Sequence, residues 1–528
     1  MNAPTRSLPL YFLLLLLTLL ALAGLWYGLG REQALPDPQL ADGKLQCASY
    51  SPFDHDQSPF NKPLNIRRER VEADVALLAQ RFNCLRTYSV TGLDYLPDLA
   101  RQHGIKLMIG AWVSRAPKAT RREIERVIRM ANAHPDVVSA VIVGNEALLR
   151  REITAKRLAA LIEEVKARVE QPVTYADVWE FWLRHPEVAP AVDFLTIHLL
   201  PYWEDDPTGI DAALAQVRRV HDEFVAKYAP KPVFIGETGW PSEGRQREDA
   251  VPSRVNEARF IRGVIDMAEQ NGWQYNLIEA FDQPWKRISE GTVGGYWGLF
   301  DAQRNDKGVL AGPVSNLPDW PRWLGLSALL LAAGLLLGGA PRDARSSWQL
   351  PLAAGIAAAS LALWTLQLQL DSRHAGEWLW FGALLLLSLL SAARGLLHLN
   401  PPSAGWRAPV AAWLDSRATT LLVATALAGA WLMMAQVFDP RYRSFPTFAM
   451  LLPALSFFLW PARGPRDELG LLAVLIGIGL PIMLWQETLL NLQALGWGLV
   501  SLLLVVVLWR SRQPAKQTAA LPGEQQVA

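Results

Sequence analysis

The chain of 528 residues is too long for one compact domain, and 51% of its residues are hydrophobic, which excludes an intrinsically disordered protein. Its formal net charge is only +1 at pH 7. That balance excludes the strongly basic surface expected of a nucleic-acid-binding protein, so we predict no nucleic-acid partner.

The first element is an almost uncharged apolar run from Leu8 to Leu29, which is long enough to cross a bilayer as a helix. Arg6 precedes this run and Arg31 follows it. We interpret residues 8–29 as an N-terminal signal anchor, because the run exceeds the apolar part of an ordinary signal peptide. The alternative is a cleaved signal peptide with its cleavage motif at residues 21–23. Either interpretation exports the segment that follows.

Residues 43–316 have the composition of a soluble domain in which apolar runs, the predicted strands, alternate with amphipathic stretches, the predicted helices. The predicted strands are Leu45–Tyr50, Asn83–Tyr88, Lys106–Val113, Val137–Val143, Val173–Ala176, Val192–His198, Pro232–Gly236 and Tyr275–Phe281. Eight strands alternating with helices over this length predict a (β/α)8 TIM barrel, an α/β fold. A doubly wound open sheet is the alternative. It fits less well because no glycine-rich phosphate turn follows the first strand.

Two of the predicted strands lead directly into a glutamate. Glu146 closes the fourth strand and Glu237 closes the seventh. In a (β/α)8 barrel the loops after the strands share one face, so both side chains should point to the same mouth. Glycoside hydrolysis needs such a pair of carboxylates, one as the proton donor and one as the nucleophile or base. Taken singly, either glutamate is also explained as a solvated loop residue.

Four motifs make a resemblance specific. They are Leu85-Arg86-Thr87-Tyr88, Val143-Gly144-Asn145-Glu146, Gly236-Glu237-Thr238-Gly239-Trp240-Pro241 and Tyr296-Trp297-Gly298-Leu299-Phe300. Through these motifs residues 43–312 resemble glycoside hydrolase family 17 in its bacterial membrane-bound form. The resemblance implies a (β/α)8 barrel that acts on β-1,3-glucans with retention of configuration. It also implies that Glu146 is the acid/base and Glu237 the nucleophile. Asn145 would then bind the sugar 2-hydroxyl, and Tyr88 would support the nucleophile.

Aromatic residues follow several of the predicted strands and fit a carbohydrate substrate, because pyranose rings pack their C–H faces on aromatic planes. They are Trp112, Trp179, Trp182, Tyr202, Trp203, Trp240, Phe281 and Trp285. We predict that two or three of them line sugar-binding subsites. As substrate-binding residues we select Tyr202, Trp240, Phe281 and Trp285. Each ring taken singly is also explained by packing in the core or in a loop.

Two positions depart from the family pattern. His198 stands where the family usually carries an Asn, and it is either an active-site hydrogen-bonding residue or a structural histidine. Gln283 stands where the family often has a Glu, close to a lysine that Lys286 matches. Either Asp282 or Glu290 is a candidate replacement for the missing carboxylate. We place His198 and Lys286 among the substrate-binding residues.

The two cysteines are Cys47, on the first predicted strand, and Cys84, on the second. An exported compartment allows them to pair. Parallel neighbouring strands rarely present ideal disulfide geometry, so we predict two buried thiols. The sequence shows no metal-ligand spacing of His, Cys and Asp, and we predict neither a metal nor a cofactor.

Seven apolar segments follow the soluble domain over residues 323–510. They are Trp323–Ala340, Trp348–Leu370, Trp378–Leu397, Ala418–Phe438, Phe448–Trp460, Leu469–Trp485 and Leu490–Trp509. With the first run they make about eight membrane spans, or one fewer if Phe448–Trp460 is too short.

Basic residues indicate the orientation of these spans through the positive-inside rule. Those on the side predicted to be cytoplasmic are Arg342, Arg345, Arg394, Arg407, Arg417, Arg463, Arg466, Arg510, Arg512 and Lys516. Arg441 and Arg443 fall on the opposite side, against the rule. We therefore predict a bacterial inner-membrane protein with a periplasmic barrel and cytoplasmic termini, including a tail at residues 511–528.

The predicted spans hold almost no ionisable residues away from their ends, which argues against coupled ion transport. We predict that the bundle anchors the barrel in the lipid bilayer or docks it on a glucan synthase or exporter. The predicted function is a membrane-anchored retaining enzyme of the endo-β-1,3-glucanase type with a β-glucan substrate. One alternative is a glucanosyltransferase that branches, elongates or cyclises glucan, including through β-1,6 links. The other is an inactive glucan-binding sensor.

Overall fold

A computed structural model describes residues 8–40 and 43–512 of the chain. The chain divides into two compact units. One comprises residues 31–318, and the other combines helix α1, Leu8–Gly30, with the helices beyond residue 318. Strands and amphipathic helices build the first unit, whereas long apolar helices dominate the second.

The first unit is a closed barrel of eight parallel strands that follow one another in sequence order. The strands are β1 Leu45–Tyr50, β2 Phe82–Thr87, β3 Lys106–Ala111, β4 Val138–Asn145, β5 Val173–Val178, β6 Leu195–Leu199, β7 Val233–Thr238 and β8 Gln274–Leu277. Strand β8 closes the barrel against β1, with Cys47 opposite Asn276. Because all strands run parallel, their carboxyl ends lie at one face. The predicted (β/α)8 barrel is confirmed.

Helices surround this barrel. They are α2 Arg68–Leu78, α3 Leu96–His103, α4 Pro117–Ala133, α5 Ala155–Lys166, α6 Trp179–Arg184, α7 Ile210–Tyr228, α8 Arg254–Asn271 and the single turn α9 Arg287–Glu290. Helix α8 shows why they form: Ser253 caps its first turn by accepting from the Asn256 N–H, and Gly272 ends it with φ +66°. Its apolar face buries residues such as Phe260, Ile261 and Val264 in the shell between helices and strands.

The strands that carry the two glutamates extend further than the sequence pattern predicts. Strand β4 ends at Asn145 rather than at residue 143, and β7 ends at Thr238 rather than at residue 236. The pairing register shifts between Ile142 and Asn145 and again within β7. Such irregularities redirect side chains at a barrel rim, and here both strands continue beyond the apolar runs from which their ends were predicted.

Cys47 and Cys84 form a disulfide, so the prediction of two free thiols is wrong. The two residues are register partners on β1 and β2, and their Cα atoms lie 4.4 Å apart. This separation lies within the range that a disulfide can bridge. The general argument against parallel neighbours fails here because the two cysteines are directly opposed.

Replacing both cysteines with serine is expected to lower the free energy of unfolding of the barrel by about 4 kcal/mol, because the cross-link removes loop-closure entropy from the unfolded chain. The bond joins residues 37 positions apart. Proteolysis of the full chain in detergent across a urea series measures the loss. Reduced wild-type protein is the matched control and should unfold with the double variant. Equal stability of the oxidised wild type and the double variant would contradict the expectation.

The second unit is helical throughout its described residues. Besides α1 it contains α10 Trp320–Gly338, α11 Ala344–Asp371, α12 Ala375–Leu399, α13 Arg407–Ser416, α14 Ala418–Phe438, α15 Thr447–Leu459, α16 Arg466–Glu487 and α17 Leu492–Arg510. Among the described residues seven helices are long and apolar enough to cross a membrane, namely α1, α10, α11, α12, α14, α16 and α17. Helix α15 corresponds to the predicted segment Phe448–Trp460 and has only 13 residues, which is shorter than the other apolar helices.

Helix α1 packs against the other helices of this unit along one face, which carries Thr18, Leu22 and Trp26. Trp26 is fully buried, its indole N–H donates to Ser327 Oγ at 2.8 Å, and its ring stacks on Trp323 at 6.0 Å. A buried indole with a satisfied N–H is typical of a well-packed interface. Arg6, which precedes the apolar run, and residues 513–528 of the expected tail lie outside the described residues.

Candidate active site

Glu146 and Glu237 lie at the same mouth of the barrel. Glu237 is the penultimate residue of β7 and its side chain is only 5% exposed, whereas Glu146 follows β4 directly and its side chain is 24% exposed. Glu146 adopts φ +50° after Gly144 with φ +90°. A left-handed conformation is unusual for a glutamate, and such strain is common where a turn fixes a functional side chain.

His198 on β6 lies between the two carboxylates. Its Nδ1 is 3.1 Å from Glu146 Oε1 and 3.7 Å from Glu237 Oε2. The three side chains present ligand-type atoms that all lie within 4.8 Å of one another. The two glutamates therefore face a common point, and His198 is part of the site.

Arg86 on β2 and Tyr88, which directly follows β2, hold one oxygen of Glu237. Arg86 donates from Nη1 to Oε1 at 2.6 Å, and the Tyr88 hydroxyl donates to the same oxygen at 2.9 Å. Arg86 also donates from Nη2 to Asn145 Oδ1, which links β2 to β4 as well as to β7. Burial raises the pKa of Glu237, but the interactions with His198 and Arg86 lower it to about 2. Glu237 is therefore ionised at neutral pH.

Residues on β5 support the turn that carries Glu146. The Tyr175 hydroxyl donates to the Asp177 carboxylate and accepts from the Leu148 N–H at 2.9 Å. Asp177 is fully buried, and burial together with the negative charge of Glu146 raises the pKa of Asp177 to about 7. Neither Tyr175 nor Asp177 was predicted to belong to the site, although Asp177 lies near the end of a strand, as Glu237 does.

Glu279 supplies the carboxylate that the sequence analysis sought at other positions. It follows β8 closely and is buried, and Lys286 Nζ lies 2.8 Å from both of its carboxylate oxygens. Asp282 instead pairs with Lys307 at 3.2 Å. Lys286 thus binds Glu279 in this structure, and Asp282 is not the replacement. Glu279 follows β8 much as Glu146 follows β4, and this similarity in the sequence could have identified it.

The Glu279–Lys286 pair is expected to matter for stability. Burial raises the pKa of Glu279 to about 7 even beside Lys286, so the pair is only partly ionic at neutral pH. Glu279→Gln leaves the ammonium of Lys286 without this partner and should cost about 1–3 kcal/mol of unfolding free energy. The matched control is the double variant Glu279→Gln/Lys286→Met, which removes both charges and should recover part of the loss. The urea series described for the disulfide measures both. Equal losses in the single and double variants would show that the ion pair is not the cause.

The structure corrects three of the selected aromatic residues, since Tyr202, Trp240 and Phe281 are buried in the core. The Tyr202 hydroxyl donates to the Arg245 carbonyl at 2.8 Å, and the Trp240 indole N–H donates to the Val251 carbonyl at 3.0 Å. Neither ring presents a face to a sugar, because the turns after β6 and β7 fold back onto the barrel.

Other rings remain accessible at this face. Trp285 is partly exposed and meets Phe60 edge to face at 5.7 Å between ring centroids. Trp112 is exposed and lies under the Arg150 guanidinium at 4.1 Å, whereas Trp179 and Trp203 are partly exposed and Trp182 is buried. A ring with one open face can stack on a pyranose.

Glu146, His198 and Glu237 are also spaced closely enough to hold a metal ion. Within the described ranges they are the cluster of His, Cys and carboxylate side chains with this spacing. Imidazole and carboxylate donors suit zinc. Arg86 and Tyr88, however, already occupy Oε1 of Glu237. The arrangement of these three side chains therefore suits acid–base chemistry as well as metal binding.

Comparison with known proteins shows which family the barrel resembles. Residues 47–298 match the family model described as the BtgE/BtgC glycoside hydrolase domain. The probable β-glucosidase btgE of Aspergillus flavus is 30% identical over 274 residues, which cover 50% of this chain and 43% of the relative. A glucan 1,3-β-glucosidase of Schizosaccharomyces pombe is 29% identical over 254 residues, which cover 44% of this chain and 78% of the relative.

A solved structure is similar as well. The crystal structure of the glycoside hydrolase family 17 β-1,3-glucanosyltransferase from Rhizomucor miehei is 27% identical, covers 50% of this chain and 96% of its own chain, and has a TM-score of 0.44. The chain thus spans less than half the length of the Aspergillus flavus relative. The matched segment contains Glu146, Glu237 and the residues that hold them, and it confirms the resemblance predicted from the motifs. Residues 47–298 therefore form a glycoside hydrolase domain that is similar to the BtgE/BtgC domain.

Proposed function

We propose that the barrel hydrolyses β-1,3-glucosidic bonds of a glucan by double displacement, with retention of configuration. The names of the relatives support this substrate class, since they include a glucan 1,3-β-glucosidase and probable glucan endo-1,3-β-glucosidases. One observation carries the mechanism: the facing atoms of Glu146 and Glu237 lie within 4.8 Å of each other. Retaining enzymes hold their carboxyls about 5–5.5 Å apart, whereas inverting enzymes need about 6.5–9.5 Å to admit water.

The surroundings of each carboxylate support its proposed role. Glu237 is ionised, and Arg86 and Tyr88 hold its Oε1, which leaves Oε2 to attack the anomeric carbon. Glu146 is the more exposed carboxylate, so it can protonate the leaving oxygen and then deprotonate water. Asn145 accepts from Arg86 through Oδ1, and its Nδ2 is then the atom that can donate to the sugar 2-hydroxyl.

Glucanosyl transfer is the second candidate function. Trp112 directly follows β3 and Trp179 directly follows β5. These strands flank β4 in the barrel, so both rings lie on the Glu146 side, where the leaving group departs and an acceptor binds. Exposed rings at that place would favour a sugar acceptor over water.

A product analysis tests both functions. The full chain in detergent would be incubated with a β-1,3-gluco-oligosaccharide at low and high concentration, beside Glu146→Gln and Glu237→Gln. Shorter products that both variants fail to form support hydrolysis. Longer or branched products that increase with substrate concentration support transfer. Binding without any turnover would overturn both enzyme functions and favour the glucan-binding sensor.

We also propose that the helical unit anchors the barrel in a bacterial inner membrane, with the barrel in the periplasm and the termini in the cytoplasm. Seven helices are long enough to cross a membrane, and the shorter apolar α15 would be the eighth span that returns the C-terminus to the side of the N-terminus. The contacts of Trp26 in α1 with Ser327 and Trp323 of α10 and the disulfide in the barrel support an exported domain on a retained anchor. Docking on a glucan synthase or exporter belongs to this proposal.

Labelling of introduced cysteines tests the orientation. In intact spheroplasts a membrane-impermeant maleimide should label Lys118→Cys, which is exposed on the barrel, and should leave Ala404→Cys, between α12 and α13, unlabelled. Lysed membranes are the control, in which both positions should react. The opposite labelling pattern in intact cells would reverse the proposed topology.

A further inference from the structure

His198 has one ring nitrogen that faces two carboxylates and one that faces none. Its side chain is fully buried. Nδ1 lies 3.1 Å from Glu146 Oε1 and 3.7 Å from Glu237 Oε2. Nε2 is buried and has no hydrogen-bond partner among the described residues. The two nitrogens therefore differ sharply in what they can donate to.

This asymmetry assigns the tautomer of the neutral imidazole. A buried N–H without an acceptor loses its hydration and gains nothing in return. A proton on Nε2 would be in that position, whereas a proton on Nδ1 finds a carboxylate oxygen. We therefore assign the proton to Nδ1 from the available partners. In this tautomer His198 has a single N–H to donate, with Glu146 Oε1 at hydrogen-bond distance and Glu237 Oε2 somewhat farther away at 3.7 Å.

The ring is held in place by the neighbouring strand. Gly236 precedes Glu237 on β7, and a Cβ atom at this glycine would come within 3.2 Å of His198 Cδ2 and 3.4 Å of Nε2. The absence of a side chain at Gly236 thus lets the Nε2 edge of the imidazole lie against the backbone of β7. The Nδ1 edge is left facing the carboxylates.

Charged groups face this ring from several strands. Asp177 lies on β5, Glu146 follows β4, and Glu237 lies on β7 with Arg86 of β2 on its other oxygen. Because Arg86 and Tyr88 occupy Oε1 of Glu237, His198 is the group that faces Oε2. The position of the Nδ1 proton therefore affects both carboxylates.

We propose that His198 is a positioning residue whose single Nδ1–H follows the negative charge between the two carboxylates. This inference rests on the proposed double displacement. In the first step Glu237 Oε2 bonds to the anomeric carbon as the glycosidic C–O bond breaks, and the Glu146 proton goes to the leaving oxygen. Glu237 is then an uncharged ester and Glu146 is ionised, so the Nδ1–H donates to Glu146. In the second step water attacks the anomeric carbon as the bond from that carbon to Glu237 Oε2 breaks, the water proton goes to Glu146, and the Nδ1–H again interacts with the ionised Glu237. The proton on Nδ1 never leaves His198.

Two isosteric variants separate this role from mere packing. The amide nitrogen of an asparagine stands the same number of bonds from Cβ as Nδ1 of histidine, so His198→Asn keeps a donor at that place. His198→Leu has nearly the same shape as His198→Asn and no donor. We expect His198→Asn to retain turnover within a few-fold and His198→Leu to lose about 10- to 100-fold, mainly in hydrolysis of the glycosyl-enzyme. Burst kinetics with an activated aryl β-glucoside would separate the two steps.

The pH profile provides a second readout. His198 lowers the pKa of Glu237, so in His198→Leu the acidic limb of kcat/KM should move to higher pH, and in His198→Asn, which keeps a donor, it should stay nearer the wild-type position. Equal losses in both variants with unchanged pH limbs would show a structural role only and would overturn the proposal. Full activity of His198→Leu would overturn it as well.

A spectroscopic measurement decides the tautomer without any turnover. ¹⁵N NMR of the histidine-labelled full chain, with His198→Asn to identify the signal, should show Nδ1 protonated and Nε2 unprotonated at neutral pH. A proton on Nε2, alone or in an imidazolium, would overturn the inference even in an active enzyme. Inactivity of the wild type toward glucans would instead overturn the proposed function, and the NMR result would still stand by itself.

Discussion

Replacing Glu237 with alanine is expected to slow glucan hydrolysis on the order of 10⁴-fold or more, because it removes the carboxylate that faces Glu146 and attacks the anomeric carbon. Glu146→Ala is expected to cost about 10²- to 10⁴-fold with a natural leaving group, and far less with an activated aryl group that needs no protonation. Both effects are measured as kcat/KM on the same oligosaccharide and aryl glycoside.

Rescue by azide distinguishes the two roles. In Glu237→Ala azide can occupy the space of the nucleophile and attack the substrate directly, which yields an α-glycosyl azide. In Glu146→Ala azide attacks the glycosyl-enzyme from the opposite face, which yields a β-glycosyl azide. Glu152→Gln is the matched control, since Glu152 lies on the same loop as Glu146 and accepts from the Arg115 N–H. The reverse pattern of azide products would exchange the two assignments.

Replacing Arg86 with methionine should have the second largest effect. It leaves the buried carboxylate of Glu237 without its ion pair, which should cost about 3–5 kcal/mol of unfolding free energy at neutral pH. Arg86→Lys keeps the charge but cannot bridge Glu237 and Asn145, so an intermediate loss is expected. Arg101→Met removes exposed ion pairs with Asp98 and Asp136 and serves as the control, with a much smaller expected cost because solvent screens exposed charges.

The pH dependence of the Arg86 variant follows from the pKa of Glu237. Burial raises this pKa, and His198 and Arg86 lower it to about 2, below the ordinary value of 4.5. The ionised carboxylate therefore stabilises the native barrel above about pH 4.5, and this contribution is lost as the pH falls from 4.5 toward 2. Without Arg86 the pKa of Glu237 should rise, and the acidic limb of kcat/KM should move to higher pH. An unchanged acidic limb would show that Arg86 does not set the ionisation of Glu237.

The local sequence pattern was sufficient to predict the barrel and the positions of Glu146 and Glu237 at one of its faces. Alternation of apolar and amphipathic segments predicts eight strands, and Glu146 and Glu237 stand out because each closes a β-branched or apolar run. Parallel strands then bring the two side chains to one face without further information.

Contacts between distant strands were not predictable in the same way. Arg86 was visible in its motif, but its bridge from β2 to Glu237 on β7 and to Asn145 on β4 depends on how the barrel closes. The pairing of Cys47 with Cys84 depends on the register of β1 and β2. Lys286 finds Glu279 through the path of the loop after β8.

The aromatic residues show a different limit. Trp240 and Trp285 both follow strands, yet the first is buried and the second is partly exposed. The loops after the strands make the difference. The loop after β7 brings the Val251 carbonyl to the Trp240 indole N–H, whereas the loop after β8 leaves Trp285 beside Phe60. A sequence pattern identifies a ring that follows a strand, but the path of the loop decides whether its face is open.

Trapping the covalent intermediate tests the central claim most directly. A 2-deoxy-2-fluoro-β-glucoside with an activated leaving group should glycosylate the nucleophile and then hydrolyse slowly, since the fluorine destabilises the oxocarbenium-like transition state. Mass spectrometry of the digested full chain should locate one sugar on the peptide that carries Glu237, and Glu237→Gln should remain unlabelled. A sugar on another residue, or an α-configured first product from a natural glucan, would contradict a retaining mechanism with Glu237 as the nucleophile.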